Sequence, residues 1–501
     1  MTRNCLLALG LALFVAACGE NAGPTDTNPS PDFASANATQ QVNVLLKARA
    51  TAANRAELSR YGNITDEIAS LNALSMKAKA DKIPAIRALA FVKSVSLDQP
   101  RSTPPVEVAE ALDIAAGANV WNLDAINVTD KLTGGRKVDF DGTGVYVAQL
   151  DTGLLPFWPF YFAGKNIDTE HAVAFGGLGL GNNPTIPHKW ENDVDAHGTH
   201  VASIILGFQF ASASTGGVFQ INGVAPAATL IPVKVLHQTG SGTSFTVAKG
   251  ITYVADLFNP DGGELAGKRV VVNMSLGGAA LDPVEKEAFD LAISRNVVLV
   301  AAASNEGPDG PMAYPGGYPP VISVASAGWI GEWGGNNPAC TALPNGVDEV
   351  NPARWWRQCD VPDPYDQANF YINDFSSEPD PTPTGFTEPQ DLDVAAPGSW
   401  VVGPYQLNQG NPAYFFVGGT SQATAHVTGI VALILQKNPS LSPAAVEDIL
   451  EDAAQQHALN DVGQQVAPDV GLPLEGVPSW ATDGRAGNGF ITADAALAET
   501  P

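Results

Sequence analysis

The apolar pattern changes period along the chain. VYVAQLDTG (145–153) is a β-branched, apolar run that reads as a strand stopping at Asp151. Beyond DAHGTH, VASIILG opens an apolar helix, and the stretch from Gln422 to Gln436 is long enough for a buried one. A further helix spans 443–454, with Ser442 as N-cap and Pro443 in its first turn. Residues 121–501 alternate strands and helices in this way. That predicts an α/β fold: a doubly wound, mostly parallel sheet with helices on both faces. Ahead of it, 41–98 reads as a small α+β piece. VNVLLKA is a strand, AANRAELSRYG a short helix, IASLNALSMKA a strand region, DKIPAIRAL a second helix and FVKSVSLDQ a last strand.

Three long stretches interrupt the alternation. Residues 154–196 carry the aromatics FWPFYF, 327–374 carry Trp329, Trp333, Trp355 and Trp356, and 456–485 are irregular. The aromatics either line a cleft or pack as a minor core on the domain surface.

The first residues change the picture of where the chain works. MTRNCLLALGLALFVAAC has a basic start and an apolar stretch of signal-peptide length, too short and wrongly flanked to span a membrane. VAAC resembles a bacterial lipobox, which implies cleavage before Cys18 and lipid attachment there. Ordinary cleavage after Ala17 uses the same small residues. The expectation is a signal peptide over 1–17, a flexible tether over 18–38, and a protein exported from a bacterial cell, anchored through Cys18 or secreted. With Cys5 removed and Cys18 lipidated, Cys340 and Cys359 remain. In an oxidising compartment they form a disulfide, worth roughly 3 kcal/mol for a loop of about twenty residues, or stay as buried thiols.

Charge is divided unevenly. Residues 1–105 hold 11 Lys/Arg against 8 Asp/Glu, and the remainder holds 15 against 44. Such acidity excludes nucleic acid and anionic membrane surfaces as partners of the main domain.

The chemistry lies in three segments. In GGTSQATAHVTG (418–429), Gly418 and Gly419 leave room for a sharp turn before Ser421, which stands at a helix N-terminus where free N–H groups favour an oxyanion. A hydroxyl is a weak nucleophile, so it needs a base, and the base needs a carboxylate to hold its tautomer. His197 in DAHGTHVAS and Asp151 at the strand end fill those roles, in the chain order Asp, His, Ser. His200, three residues on, lacks the further ligands of a zinc site, and His426 reads as a packed helix residue.

On these residues the chain resembles the subtilisin-like serine endopeptidases over nearly all of 121–501. Further segments follow in the family's order: GVAPAATLIPVKVL (223–236), VVNMSLGG (271–278), VVLVAAASNEG (297–307), AYPGGYPPVISVAS (313–326), LDVAAPG (392–398) and GNGFITADAAL (487–497). The resemblance implies that Asn305 donates to the oxyanion and that Ser275, Leu276 and Gly277 pair with an extended polypeptide substrate. It also implies that 39–99 is an inhibitory propeptide, with the processing junction over 100–120 and the catalytic domain over 121–501. Its mild positive charge suits docking on an acidic partner. The chemistry requires no cofactor. Structural calcium is expected of the family, and the oxygen-rich WENDVD (190–195) and NPDGGE (259–264) either bind it or are ordinary turns. Two positions depart from the family pattern: Gln422 stands where methionine is usual, and Ala425 where proline is usual. A non-catalytic relative would need a broken triad, and none is visible.

Overall fold

The computed structural model describes residues 38–104, 107–110, 120–129, 135–175, 189–211, 216–308, 310–329, 361, 365, 370–383, 389–406, 411–455 and 485–501. The signal segment, the tether, all four cysteines, Trp333, Trp355, Trp356 and most of the second and third insertions lie outside them.

A central sheet carries the larger unit. Its strands run in the spatial order Phe370–Ile372, Ile322–Trp329, Val298–Ala302, Arg269–Met274, Val145–Asp151, Thr229–Lys234 and Asn166–Ile167. Val394–Pro397 pairs with Ile322–Trp329, and Val173–Ala174 with Thr229–Lys234. Every pairing is parallel except that of Phe370–Ile372. The chain enters at Val145–Asp151, steps to Thr229–Lys234 on one side, then crosses to Arg269–Met274 on the other. That reversal opens a crevice at the carboxyl ends of the strands.

Both faces are covered, so the strands read as continuous apolar runs. Val271, Val298 and Val300 point into a core shared with His197–Leu206, Thr420–Lys437, Pro443–Gln455 and Ala493–Glu499. Their neighbours Val272, Leu299 and Ala301 point into a second core under Ser244–Leu257 and Pro283–Ser294. Ser442 Oγ accepts from Ala445 N–H at 3.2 Å, as its N-cap position predicts. Of the aromatic insertion, Trp158–Tyr161 is a short helix; Tyr161 and Phe162 are buried in the first core. The terminal strand expected in 487–497 reduces to a single bridge between Ala395 and Phe490.

The N-terminal unit is a four-stranded antiparallel sheet in the order Gly62–Ile68, Ala73–Lys79, Thr39–Leu46, Val92–Leu97, with helices Ala52–Leu58 and Ile83–Arg87. The single strand region read over IASLNALSMKA is a hairpin instead. A 3₁₀ turn over Ala69–Leu71 ends with Asn72 at φ 57°, a left-handed position that Asn tolerates. Gly62–Ile68 escapes the pattern because it is mostly polar and buries only Ile68 fully. This sheet has its own core, yet Leu45, Ile68, Leu71 and Ala73 join the second core of the larger unit.

Candidate active site

Asp151 ends the central strand Val145–Asp151, and His197 begins the helix His197–Leu206. His197 Nδ1 donates to both carboxylate oxygens of Asp151, at 2.9 and 3.0 Å, and Thr152 N–H adds a third donor at 2.6 Å. The proton is therefore on Nδ1, which leaves Nε2 as the basic nitrogen. Ala196 before it has φ 72°, a strained value for a residue with a Cβ, and its N–H is held by Asp193 Oδ1 at 3.1 Å. Gly198 after it has no room to be anything else: a Cβ there would lie 2.3 Å from Gly153 O. Burial opposes a charge on His197. The charge and hydrogen bond of Asp151, with Asp195 and Asp193 behind, outweigh it and hold the imidazole above the usual histidine pKa.

Ser421 lies in the first turn of the helix Thr420–Lys437, which is buried through Leu435. Its N-cap, Gly419, is extended (φ 168°, ψ 160°), so the sharp glycine turn expected there is absent. A chain of bonds fixes the serine against the sheet. Thr428 Oγ1 donates to Asn273 Oδ1 (2.9 Å), Asn273 Nδ2 to Ser275 Oγ (3.0 Å), and Ser275 Oγ to Ser421 O (2.9 Å). Ser421 Oγ itself donates to Ser275 O at 3.4 Å. The buried His197 Nε2 has no hydrogen-bond partner among the described residues. Asp151 and His197 are thus joined, whereas the bond between Ser421 and His197 is not made in this state. Asn305 is brought beside them: its Oδ1 accepts from Thr420 N–H (3.0 Å) and Thr420 Oγ1 (2.7 Å). Ser304, just before it, has φ 120°.

Several groups here have no sequence signature. Lys234 is buried at the end of a strand and donates to Thr152 O, facing Asp193, Asp151 and Asp195. Burial lowers Lys234 and raises Asp193, each opposed by the other's charge. Asp193, read as a calcium candidate or a turn residue, thus belongs to the surroundings of His197. The Gln422 amide donates to His200 Nδ1 at 3.3 Å, but its buried oxygen has no partner among the described residues. His200 Nε2 donates to Val401 O (3.0 Å), and burial drops its pKa to about 3, so it is a neutral spacer. His426 is packed as read, between Gln422 O and Asn122, each at 2.7 Å.

The crevice holds part of this same chain. Pro100–Ser102 pairs antiparallel with Ser241–Thr243 on one side. On the other, Ser102 and Gly277 exchange both backbone bonds, at 3.1 and 3.0 Å, and Thr103 N–H donates to Gly240 O at 2.9 Å. Residues 100–103 thus lie between a short strand and a single bridge. Beyond them, a cavity of about 310 Å³ is lined by Pro104, Leu276, Gly277, Ser304, Glu306 and Met312 among others. Away from this crevice, oxygens of Asp391, Asp393 and Glu451 lie within 4.8 Å of one another, and the buried Asp393 Oδ1 has no hydrogen-bond partner among the described residues. They are the donor type a hard divalent cation takes.

Residues 142–469 match the family Peptidase_S8, described as the subtilase family. Fervidolysin of Fervidobacterium pennivorans is 29% identical over 351 residues, 67% of this chain and 40% of that protein. Subtilisin E of Bacillus subtilis (strain 168) is 30% identical over 320 residues, 63% of this chain and 61% of that protein. The alignments thus span less than two thirds of either relative. Among solved structures, that of fervidolysin aligns with a TM-score of 0.59 at 24% identity, over 92% of this chain and 61% of that one. Sphericase aligns with a TM-score of 0.51 at 27% identity, over 76% and 99%. With a strand-end Asp151 holding His197 beside a helix-borne Ser421, and a family match over most of its length, the chain belongs to the subtilases.

Proposed function

We propose that this chain is an exported serine endopeptidase, made as a precursor that processes itself. Ser421 Oγ attacks the scissile carbonyl, and His197 Nε2 takes its proton and later returns it to the leaving amine. Asp151 holds the Nδ1–H tautomer and stabilises the imidazolium. The amide of Asn305 and the Ser421 backbone N–H receive the oxyanion, where preorganised donors act on charge as it develops. The bond from His197 to Ser421 forms when substrate enters, since such bonds tighten in the bound complex.

The observation that carries this reading is the strand 100–103, laid between Gly240 and Gly277 beside the residues that would do the chemistry. A polypeptide substrate takes the same path, with main-chain bonds to Gly277 and Gly240 and a side chain in the cavity next to Ser304 and Glu306. Residues 39–99 then act as an intramolecular inhibitor whose tail blocks the cleft until 100–120 is cut. The lipobox-like VAAC supports a precursor held at the cell envelope through Cys18, and a cut within 100–120 separates that anchor from the enzyme. A structural calcium would be held by Asp391, Asp393 and Glu451 and has no part in the chemistry.

A serine-directed phosphonylating reagent tests the mechanism. It is expected to add one label to folded protein freed of its N-terminal unit, on Ser421, and none to Ser421→Ala. A folded, unblocked sample that takes no label overturns the reading.

A further inference from the structure

The strand in the crevice brings with it a buried ion pair. Arg101 Nε donates to Glu285 Oε1 at 3.0 Å, and Arg101 Nη2 donates to Glu285 Oε2. Neither side chain has any exposed surface. The rest of the guanidinium is satisfied by carbonyls: Nη2 donates to Ala280 O (2.9 Å) and Nη1 to Pro100 O (2.8 Å). Glu285 is the third residue of the helix Pro283–Ser294, behind the edge that ends in Gly277 and Gly278. Gly278 keeps the way in open, since a Cβ there would lie 2.5 Å from Arg101 Nη1 and 2.4 Å from Pro100 O. The site is thus shaped for a planar, five-donor cation arriving from the crevice.

Among the described residues, Arg101 is the only cation bonded to Glu285. When the strand leaves, the larger unit keeps a carboxylate in a place built to be dry. A buried charge without its partner is costly, so the site favours a ligand that restores the pair. Arginine does so with two parallel bonds; lysine offers a point charge and loses the fork. An apolar side chain leaves the carboxylate desolvated and unpaired.

Resting on the endopeptidase reading above, we infer that Glu285 is a specificity-determining residue that selects substrates with an arginine at the position held by Arg101. That position is three residues before Pro104, which lines the cavity together with Ser102. Substrate side-chain choice is then set at two places: the cavity beside Glu306, and the carboxylate at the foot of the next helix.

The test uses the processed enzyme and internally quenched peptides that differ only at this position: Arg, Lys, Gln and Leu. The expected kcat/KM falls from Arg to Leu by about 10- to 100-fold, with Lys between, which is what losing one charge-assisted pair implies. Glu285→Leu is expected to reverse the order, with Leu at least equal to Arg. Equal cleavage of the Arg and Leu peptides by wild type overturns the inference and leaves the endopeptidase reading standing. If wild type cuts none of the four, nor unfolded casein, the endopeptidase reading falls and this inference with it. The wild-type series needs no variant to fold.

Discussion

Two buried hydrogen-bonded pairs flank the crevice, and they are built differently. Asp151 and His197 sit 46 positions apart within one unit, joined by two bonds and backed by Asp193, Asp195 and Lys234. Arg101 and Glu285 sit 184 positions apart, one on the strand that follows the N-terminal unit and one on the larger unit. The first pair draws all these partners from the larger unit and needs nothing from the N-terminal one. The second is complete only while the crevice is filled. On the proposed reading, the catalytic group is thus held by its own unit, and the recognition group is left wanting a partner.

The largest test of this contrast removes the chemistry. Ser421→Ala should lose hydrolysis by about 10⁵-fold or more, the scale seen when a triad serine is deleted. Mass spectrometry should then find the N-terminal unit still attached in Ser421→Ala and lost in wild type. Loss in both would mean that another protease does the cutting. The next effect is on stability. In a Ser421→Ala background, Arg101→Ala should lower unfolding free energy by about 3 kcal/mol, because Glu285 stays buried and alone. Adding Glu285→Leu should recover much of that in a double-mutant cycle read by denaturant unfolding. A cost below about 0.5 kcal/mol for Arg101→Ala would erase the distinction between the two pairs.

A smaller effect belongs to Asp195. On the proposed mechanism His197 must be neutral to act as base. Its pKa is held above the ordinary value by Asp151 first among its neighbours' charges and then by Asp195, so activity should fall as pH drops through that raised value. Asp195→Asn removes one negative neighbour, lowers the histidine pKa and moves the acid limb of kcat/KM to lower pH. An unmoved limb would show that Asp195 is screened from the ring. The smallest effect is at Gln422. Gln422→Met removes the unpartnered buried oxygen but also the donor to His200, so stability should change by no more than about 1 kcal/mol. The same variant should gain sensitivity to peroxide that wild type lacks at this position.

What the sequence made legible follows from the range of each constraint. Asp151, His197, Ser421 and Asn305 stand at strand ends and helix starts, and each carries a short local signature of strand, turn and helix. Gly277 was readable for the same reason. Glu285 was not. Within PVEKEAFD it looks like any charge on a solvated helix face, and only the fold places Arg101 over it. Lys234 hid in the same way, as one polar residue at the end of an apolar strand, and Asp193 looked like part of an oxygen-rich turn. Electrostatic docking of a basic N-terminal unit was only half right. Lys93 meets Glu287 at 2.5 Å in the expected sense, but Lys249 meets Asp66 at 2.9 Å in the opposite one. The hairpin at Asn72 was missed because its first strand carries no apolar alternation.

Leu45, Ile68, Leu71 and Ala73 share one core with the helices Ser244–Leu257 and Pro283–Ser294. Asp282 at the foot of the second helix accepts from Ser96 Oγ at 2.6 Å and Asn43 Nδ2 at 3.3 Å. Cutting the backbone beyond Thr103 severs one covalent link and none of this packing. The freed N-terminal unit then becomes a separate ligand governed by mass action. On the proposed precursor reading, the crevice opens at the dissociation rate of that unit and stays open only where dilution prevents rebinding.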